Sequence, residues 1–166
     1  PFTLGLWVGN KVTPGSTEQS HRTIEAVRND QRPNGPSPAQ LTFCPWCGSE
    51  IRERRDIVIF KEEGRTVIYC GDPLQNCEFS KGKQRLGLPV IVVDQEIYHR
   101  PPSMLIGTVD KFAMMAWRGE TRTLFGIAKT ECSRHGLLWP GSECTGNHPA
   151  QRGGATTRAK SISPLR

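Results

Sequence analysis

Cys44 and Cys47 are separated by two residues in CPWCG, and Cys70 and Cys77 bracket the loop GDPLQN. A structural zinc ion takes four thiolate or imidazole ligands in a tetrahedron, and a C-x2-C turn delivers two of them from one tight loop. Pro45 stiffens that turn, and Gly48 is free to take a positive φ. The second pair is wider than the usual spacing, so its knuckle must be a longer loop. Both pairs flank one expected hairpin, so Cys44, Cys47, Cys70 and Cys77 are expected to hold one zinc ion. Two alternatives stand beside this. A redox C-x-x-C needs a helix after its first cysteine, and no helical pattern follows Cys47. A disulfide scaffold needs an oxidising compartment, which no feature of the sequence indicates.

A second cluster, CSRHGLLWPGSECTGNH, places Cys132, His135, Cys144 and His148 as C-x2-H followed by C-x3-H. Both half-spacings suit a second zinc ion, while lone histidines in polar loops are the plain alternative. Cys132, His135 and Cys144 are better placed for ligation than His148, which borders a basic tail. His21 and His99 have no partner at ligand spacing and read as ordinary surface residues.

A phosphate loop of the form G-x-x-x-x-G-K-[ST] is missing, since GKQ at 82–84 lacks both the earlier glycine and the hydroxyl. VIVVDQEIYH at 90–99 imitates an acidic box, with Gln95 separating Asp94 from Glu96. An extended strand would keep both acids on one face; a core strand ending in a capped turn is the plainer reading. No catalytic residue is assigned, and the chain alone is expected not to hydrolyse ATP.

The elements that must position these groups follow from periodicity. TLGLWVG at 3–9 reads as a buried strand, and Ser16 with Gln19 caps a helix reaching about Arg28. NDQRPNGPSPAQ at 29–40 reads as a linker. Strands at 56–62 and 65–70 form a hairpin through a Glu63-Gly64 turn. LPVIVVD at 88–94 and PSMLIGT at 102–108 read as fully buried strands. Thr108 then caps a helix in which Val109, Phe112, Ala113, Ala116 and Trp117 recur at helical spacing. A strand-to-helix switch of this kind is a unit of an α/β sheet.

With 166 residues and 36% hydrophobic content, the chain has room for one modest core, or a small domain carrying an insertion, and not for a two-lobed motor. The net charge is +6, but Arg152, Arg158, Lys160 and Arg166 put four of those charges in a tail at 149–166 with no acid. Only +2 remains for residues 1–148, so bulk charge is weak support for a nucleic-acid partner. The longest apolar run, LPVIVV, is far short of a membrane span, and PFTLGLWVGNK lacks the pattern of a signal peptide. A cytoplasmic protein with no membrane partner is expected.

PFTLGLWVG, CPWCG, LPVIVVDQEIYHRPPSMLIGTVDKFAMMAW and LFG, in this order, resemble the first motor domain of bacterial superfamily-two helicases of the large DISARM anti-phage type. The resemblance covers most of residues 1–148, and PPSMLIGTVDKFA is its most specific piece. It implies an α/β fold: a partial RecA-like sheet with an inserted β-hairpin zinc ribbon. The divisions are then 1–40 for the start of that sheet and a linker, 41–87 for the ribbon, and 88–126 for a strand-helix segment. The second Cys/His cluster occupies 127–148, and 149–166 is a basic disordered tail. In such helicases the phosphate loop lies upstream and a D-E-x-H box follows the LFG stretch. The chain is therefore expected to be a fragment, ATP and Mg²⁺ belong only to the complete protein, and Asp94 is not the Mg²⁺ ligand. The resemblance further implies that Thr108 and Lys111 contact the DNA backbone, with Thr108 as a mere helix cap the competing reading. DNA is the implied partner, together with other defence-system subunits. A free-standing zinc-ribbon module that binds nucleic acid or protein without catalysis is the alternative function.

Overall fold

The computed structural model describes residues 2–140 apart from Lys129; Cys144, His148 and the expected tail at 149–166 lie outside the described residues. β1 (Leu4–Trp7) leads through a turn into α1 (Thr17–Arg28). The cap is as expected: the Gln19 N–H donates to Ser16 Oγ at 3.2 Å, and the Gly15 N–H donates to Gln19 Oε1 at 2.9 Å. Thr17, Ser20, Thr23 and Ile24 fall on the helix face that is buried. The Pro/Gly/Asn stretch that follows is tied down, since Thr23 Oγ1 donates to the Pro36 carbonyl and Gln40 Nε2 to that of Val12.

A short helix, α2 (Glu53–Asp56), opens the hairpin of β2 (Ile57–Phe60) and β3 (Arg65–Ile68), which pair antiparallel from Ile57↔Ile68 to Phe60↔Arg65. The strands are shorter than the sequence suggests because Lys61–Glu63 tighten into a 3-10 turn, closed by Gly64 in the left-handed region at φ 60°. Beyond the cysteine loop come β4 (Val90–Ile91), α3 (Asp94–His99), β5 (Met104–Gly107) and α4 (Val109–Met114). β4, β1 and β5 form a parallel sheet with β1 in the centre, registered by Leu4↔Val90 and Leu4↔Met104. A final hairpin pairs β6 (Thr130–Cys132) with β7 (Gly136–Leu138).

The result is a mixed α/β chain with one parallel sheet and small antiparallel ribbons, and two expectations need correction. LPVIVVD is buried through Val92, Val93 and Asp94, yet only Val90 and Ile91 join the sheet. The Asp94 and Gln95 amides donate to the Pro14 and Gly15 carbonyls, and the chain turns into α3 at Asp94. Asp94 and Glu96 therefore do not share a strand face. PSMLIGT is a strand but not a buried one, because Met104 and Ile106 are about half exposed. β5 pairs with β1 alone among the described strands, and Val109 and Trp117 are each 83% exposed, so the apolar spacing after Thr108 does not mark a covered face.

Ile24, Ile51, Ile57, Ile68, Leu88, Val92 and Val93 form one core together with Cys44, Cys70 and Cys77. Each aliphatic side chain so buried contributes about 1.5–3 kcal/mol relative to exposure. The cysteine ribbon thus shares its interior with α1 and the segment after β4. A second cluster of Trp7, Ile91, Ile97 and Tyr98 lies on the sheet, where Trp7 Nε1 donates to Tyr98 Oη at 3.1 Å.

Candidate metal centre

Two knuckles bring the four expected cysteines together. In the first, the Gly48 N–H donates to the Cys44 carbonyl at 2.9 Å and the Cys44 N–H to that of Ser49 at 2.8 Å, with Gly48 at φ +77°. The flanking Phe43 and Glu50 form an antiparallel bridge, so this knuckle is a miniature hairpin.

The second knuckle is wide, and Asp72 supports it from within. One carboxylate oxygen accepts from the Leu74 N–H at 3.0 Å. The other accepts from the Asn76 and Cys77 N–H groups at 2.8 and 3.0 Å. The same bonds, that of Cys77 foremost, hold the Asp72 pKa below the usual carboxylate value. Gly71, between Cys70 and Asp72, has no room for a side chain: a Cβ there would overlap the Glu50 carbonyl oxygen and come within 2.6 Å of Asp56 Oδ2. Asp56 in turn accepts from the Arg52 N–H and the Arg55 guanidinium, while Arg55 Nη2 donates to the Gly71 carbonyl at 2.7 Å.

The sulfurs of Cys44 and Cys77 lie 4.0 Å apart, those of Cys47 and Cys70 3.4 Å apart, and all four are mutually within 4.8 Å. Four thiolates on a tetrahedral ion with bonds of about 2.3 Å stand about 3.8 Å from each other, so the site fits one metal ion with adjustments of a few tenths of an ångström. Cys44, Cys70 and Cys77 are buried and Cys47 is exposed. Hydrogen bonding to the Ser49 side chain, then to its backbone, brings the Cys47 pKa down to about 6, which favours the thiolate that metals require. Burial pushes the Cys70 and Cys77 thiols up. None of the four is in a disulfide.

The remaining sequence candidates are elsewhere. Cys132 Sγ and His135 Nδ1 are 3.6 Å apart across the β6–β7 turn, close to the roughly 3.5 Å of a thiolate and an imidazole on one zinc. Cys144 and His148 lie outside the described residues. His99 is not an ordinary surface residue: it is half-buried, its Nδ1 lies 2.7 Å from the Leu137 carbonyl oxygen, and its ring packs 5.2 Å from that of Trp139. Burial lowers its pKa, which favours the neutral ring.

Thr108 occupies the cap position of α4 in extended conformation and is exposed, but its hydroxyl makes no capping bond. Lys111 turns inward: its ammonium pairs with Asp94, donates to Asn10 Oδ1 at 2.9 Å and lies 5.8 Å from the Trp7 ring centre. Sequence reasoning missed Asp72, Asp56 and Ser49. For Asp72 a signal existed, because an aspartate two residues after a cysteine in a Gly/Pro/Asn loop favours a side-chain-to-backbone turn.

No protein-family model matches the chain. One curated protein does. The chain is similar to the DISARM protein DrmA of Bacillus paralicheniformis (strain ATCC 9945a / NCIMB 11709 / CD-2). The two are 30% identical over 152 residues, which is 89% of this chain and 13% of that protein. No helix of the described residues is long and apolar enough to cross a membrane.

Proposed function

We propose that this chain is a segment of a DISARM-type phage-defence protein, part of an ATP-driven DNA helicase or translocase motor whose sheet is braced by a structural zinc ion on Cys44, Cys47, Cys70 and Cys77. The observation that carries the reading is the similarity to DrmA across 89% of the chain. The parallel sheet β4-β1-β5, whose edge strand β5 passes through the single extended residue Thr108 into a short helix, supports a partial RecA-like domain. Zinc is the ion of choice because four thiolates in a tetrahedral cage suit a d¹⁰ cation without redox chemistry. In this reading Thr108 meets the DNA backbone from the carboxyl end of the sheet, and Lys111 joins it only after releasing Asp94. Other defence-system subunits are the protein partners of the complete molecule, which supplies the ATP and Mg²⁺ site.

The shared core of Cys44, Cys70 and Cys77 with Ile24 and Val93 favours this reading over a free-standing ribbon module, whose cysteines would need no such neighbours. The test uses the full-length DISARM-type protein containing this segment. Cys44→Ser with Cys47→Ser should remove about one zinc per chain and abolish DNA-stimulated ATP hydrolysis, and Thr108→Ala should lower DNA stimulation with zinc content unchanged. Hydrolysis that ignores DNA in the unmodified protein would overturn the motor reading. The present chain by itself should show no ATP turnover above background; turnover that disappears in Asp94→Asn would instead make 90–99 a working acidic box.

A further inference from the structure

The first cysteine knuckle has a counterpart in the β6–β7 turn. CPWCG sets two ligands two residues apart with a glycine directly after the second, and CSRHG does the same with Cys132, His135 and Gly136. Both glycines take a positive φ, +77° at Gly48 and +96° at Gly136. Both turns close a short antiparallel pairing, Phe43↔Glu50 in the first and Cys132↔Gly136 in the second. Residues with a side chain rarely adopt such a φ, so the match is one of backbone conformation as well as of sequence. It delivers the ligand geometry too: the 3.6 Å between Cys132 Sγ and His135 Nδ1 suits two groups on one ion.

Neighbouring elements hold the second knuckle in place. A Cβ on Gly136 would overlap the His99 carbonyl oxygen, so the turn lies directly on the end of α3. His99 Nδ1 is 2.7 Å from the Leu137 carbonyl oxygen, which can only accept, so this nitrogen carries the proton and donates. Arg100 Nη2 donates to the Arg134 carbonyl, inside the turn itself. From the other side, a Cβ on Gly64 would stand 3.6 Å from His135 Cδ2, so the imidazole rests against the tip of the β2–β3 hairpin. Ligands fixed in this way lose little further freedom when a metal binds.

His99 is a brace and not a third ligand. Cys44, Cys47, Cys70 and Cys77 are, among the described residues, the only group of three or more His, Cys, Asp or Glu whose ligand atoms converge. A tetrahedral ion on Cys132 and His135 thus draws its other two ligands from outside the described residues, where Cys144 and His148 follow at C-x3-H spacing. We propose that Cys132, His135, Cys144 and His148 bind a second zinc ion, a structural centre of two thiolates and two imidazoles separate from the four-thiolate centre. The first ion sits at the base of the β2–β3 hairpin, beside Cys70, and the second at its tip, beside Gly64. The second ion staples the β6–β7 ribbon to that hairpin and to α3.

Elemental analysis and cobalt substitution of the 166-residue chain, prepared under reducing and zinc-replete conditions, test it. The chain should hold about two zinc ions, and Cys132→Ser, His135→Ala and Cys144→Ser should each lower that by about one. His148→Ala leaves three ligands and should release the second ion to a chelator about tenfold more readily. In the cobalt form, thiolate-to-metal charge transfer should fall by about a third in Cys132→Ser, since the lost ion carries two of the chain's six cysteines. His135→Cys copies the spacing of the first knuckle, so it should keep the second ion and raise that charge transfer by about a sixth. A thiol and an imidazole that merely share a hydrogen bond would show neither the loss nor the rescue. If Cys132→Ser does not fold, as read by circular dichroism, His135→Ala against His135→Cys still decides. Zinc content unaltered in Cys132→Ser, His135→Ala or Cys144→Ser overturns the proposal, as does unaltered chelator resistance in His148→Ala. Failure of the four-thiolate centre would show separately, as zinc that survives Cys44→Ser with Cys47→Ser, and failure of the motor reading in ATP hydrolysis by the full-length protein.

Discussion

The Lys111 ammonium and the Asp94 carboxylate form a nearly dry ion pair beside Trp7, with 12% and 5% of the two side chains exposed. Removing one member of such a pair strands the other, at a cost of about 3–5 kcal/mol. Lys111→Met should therefore destabilise the chain by that order, and Asp94→Asn with Lys111→Met should recover much of it. The pH dependence follows from Asp94: burial raises its pKa and Lys111 pulls it partly back. Without Lys111 the raising effect of burial is opposed only by the charge of Arg118. A carboxyl whose folded pKa lies above its unfolded one stabilises below the unfolded value and loses that contribution as pH rises through the folded value. The deficit of Lys111→Met relative to the parent chain should consequently be largest near pH 7 and shrink toward about pH 4, as read from urea unfolding at both. A deficit equal at the two would show that Asp94 carries no charge in the fold.

Metal removal should reach well beyond the knuckles. Cys44, Cys70 and Cys77 share a core with Ile24 of α1 and with Val92 and Val93. In small metal-braced folds, binding energy is folding energy. Cys44→Ser with Cys47→Ser, or treatment with a chelator, should eliminate the bound ion and also lower helix content, because α1 loses its support. Elemental analysis with far-ultraviolet circular dichroism reads both at once. An ion lost with α1 signal and melting temperature intact would mean that the ribbon folds independently of the sheet.

Gly71 offers a sharper probe, since it binds no metal itself. Gly71→Ala forces a Cβ onto the Glu50 carbonyl oxygen, a backbone atom that cannot swing away. The variant should separate the two knuckles and weaken metal affinity by at least about tenfold, with competition against a chromogenic chelator as the measurement. Asp72→Ala should act in the same direction by freeing the Leu74, Asn76 and Cys77 amides, and Asp72→Asn should be milder because its amide oxygen still accepts.

Trp117 is the opposite case. At 83% exposure it contributes little to the isolated chain, so Trp117→Ala should shift stability by no more than about 0.5 kcal/mol. A loss of several times that in thermal unfolding would mean that the region after Thr108 folds over the residue in solution.

These contrasts mark how far the sequence could be read. The Ser16–Gln19 cap and the hairpin around Gly64 were legible because short-range chemistry decides them. The four cysteines were legible because ligand identity and spacing are nearly independent of the surroundings. Asp94 was not, since its helix start depends on carbonyls of Pro14 and Gly15 some eighty residues earlier. The inward turn of Lys111 was hidden for the same reason: a lysine beside a cap looks solvent-facing until a buried acid is placed opposite it. The β6–β7 hairpin left no trace in the pattern, because Thr130–Cys132 and Gly136–Leu138 are too short to show alternation.

β1 sits in the centre of its sheet although both of its neighbours, residues 90–91 and 104–107, follow it in the chain. As the chain leaves the ribosome, the central strand must wait for more than eighty further residues before either edge exists. Cys77 emerges well before then, so the four thiols can gather around an ion while neither of these neighbours has been made. Loop closure by that ion shortens the effective distance β1 must search, which lowers the entropic cost of a long-range parallel pairing. An ion held by the four cysteines would thus favour pairing of the sheet, and zinc starvation during translation should yield aggregates that later zinc addition does not rescue.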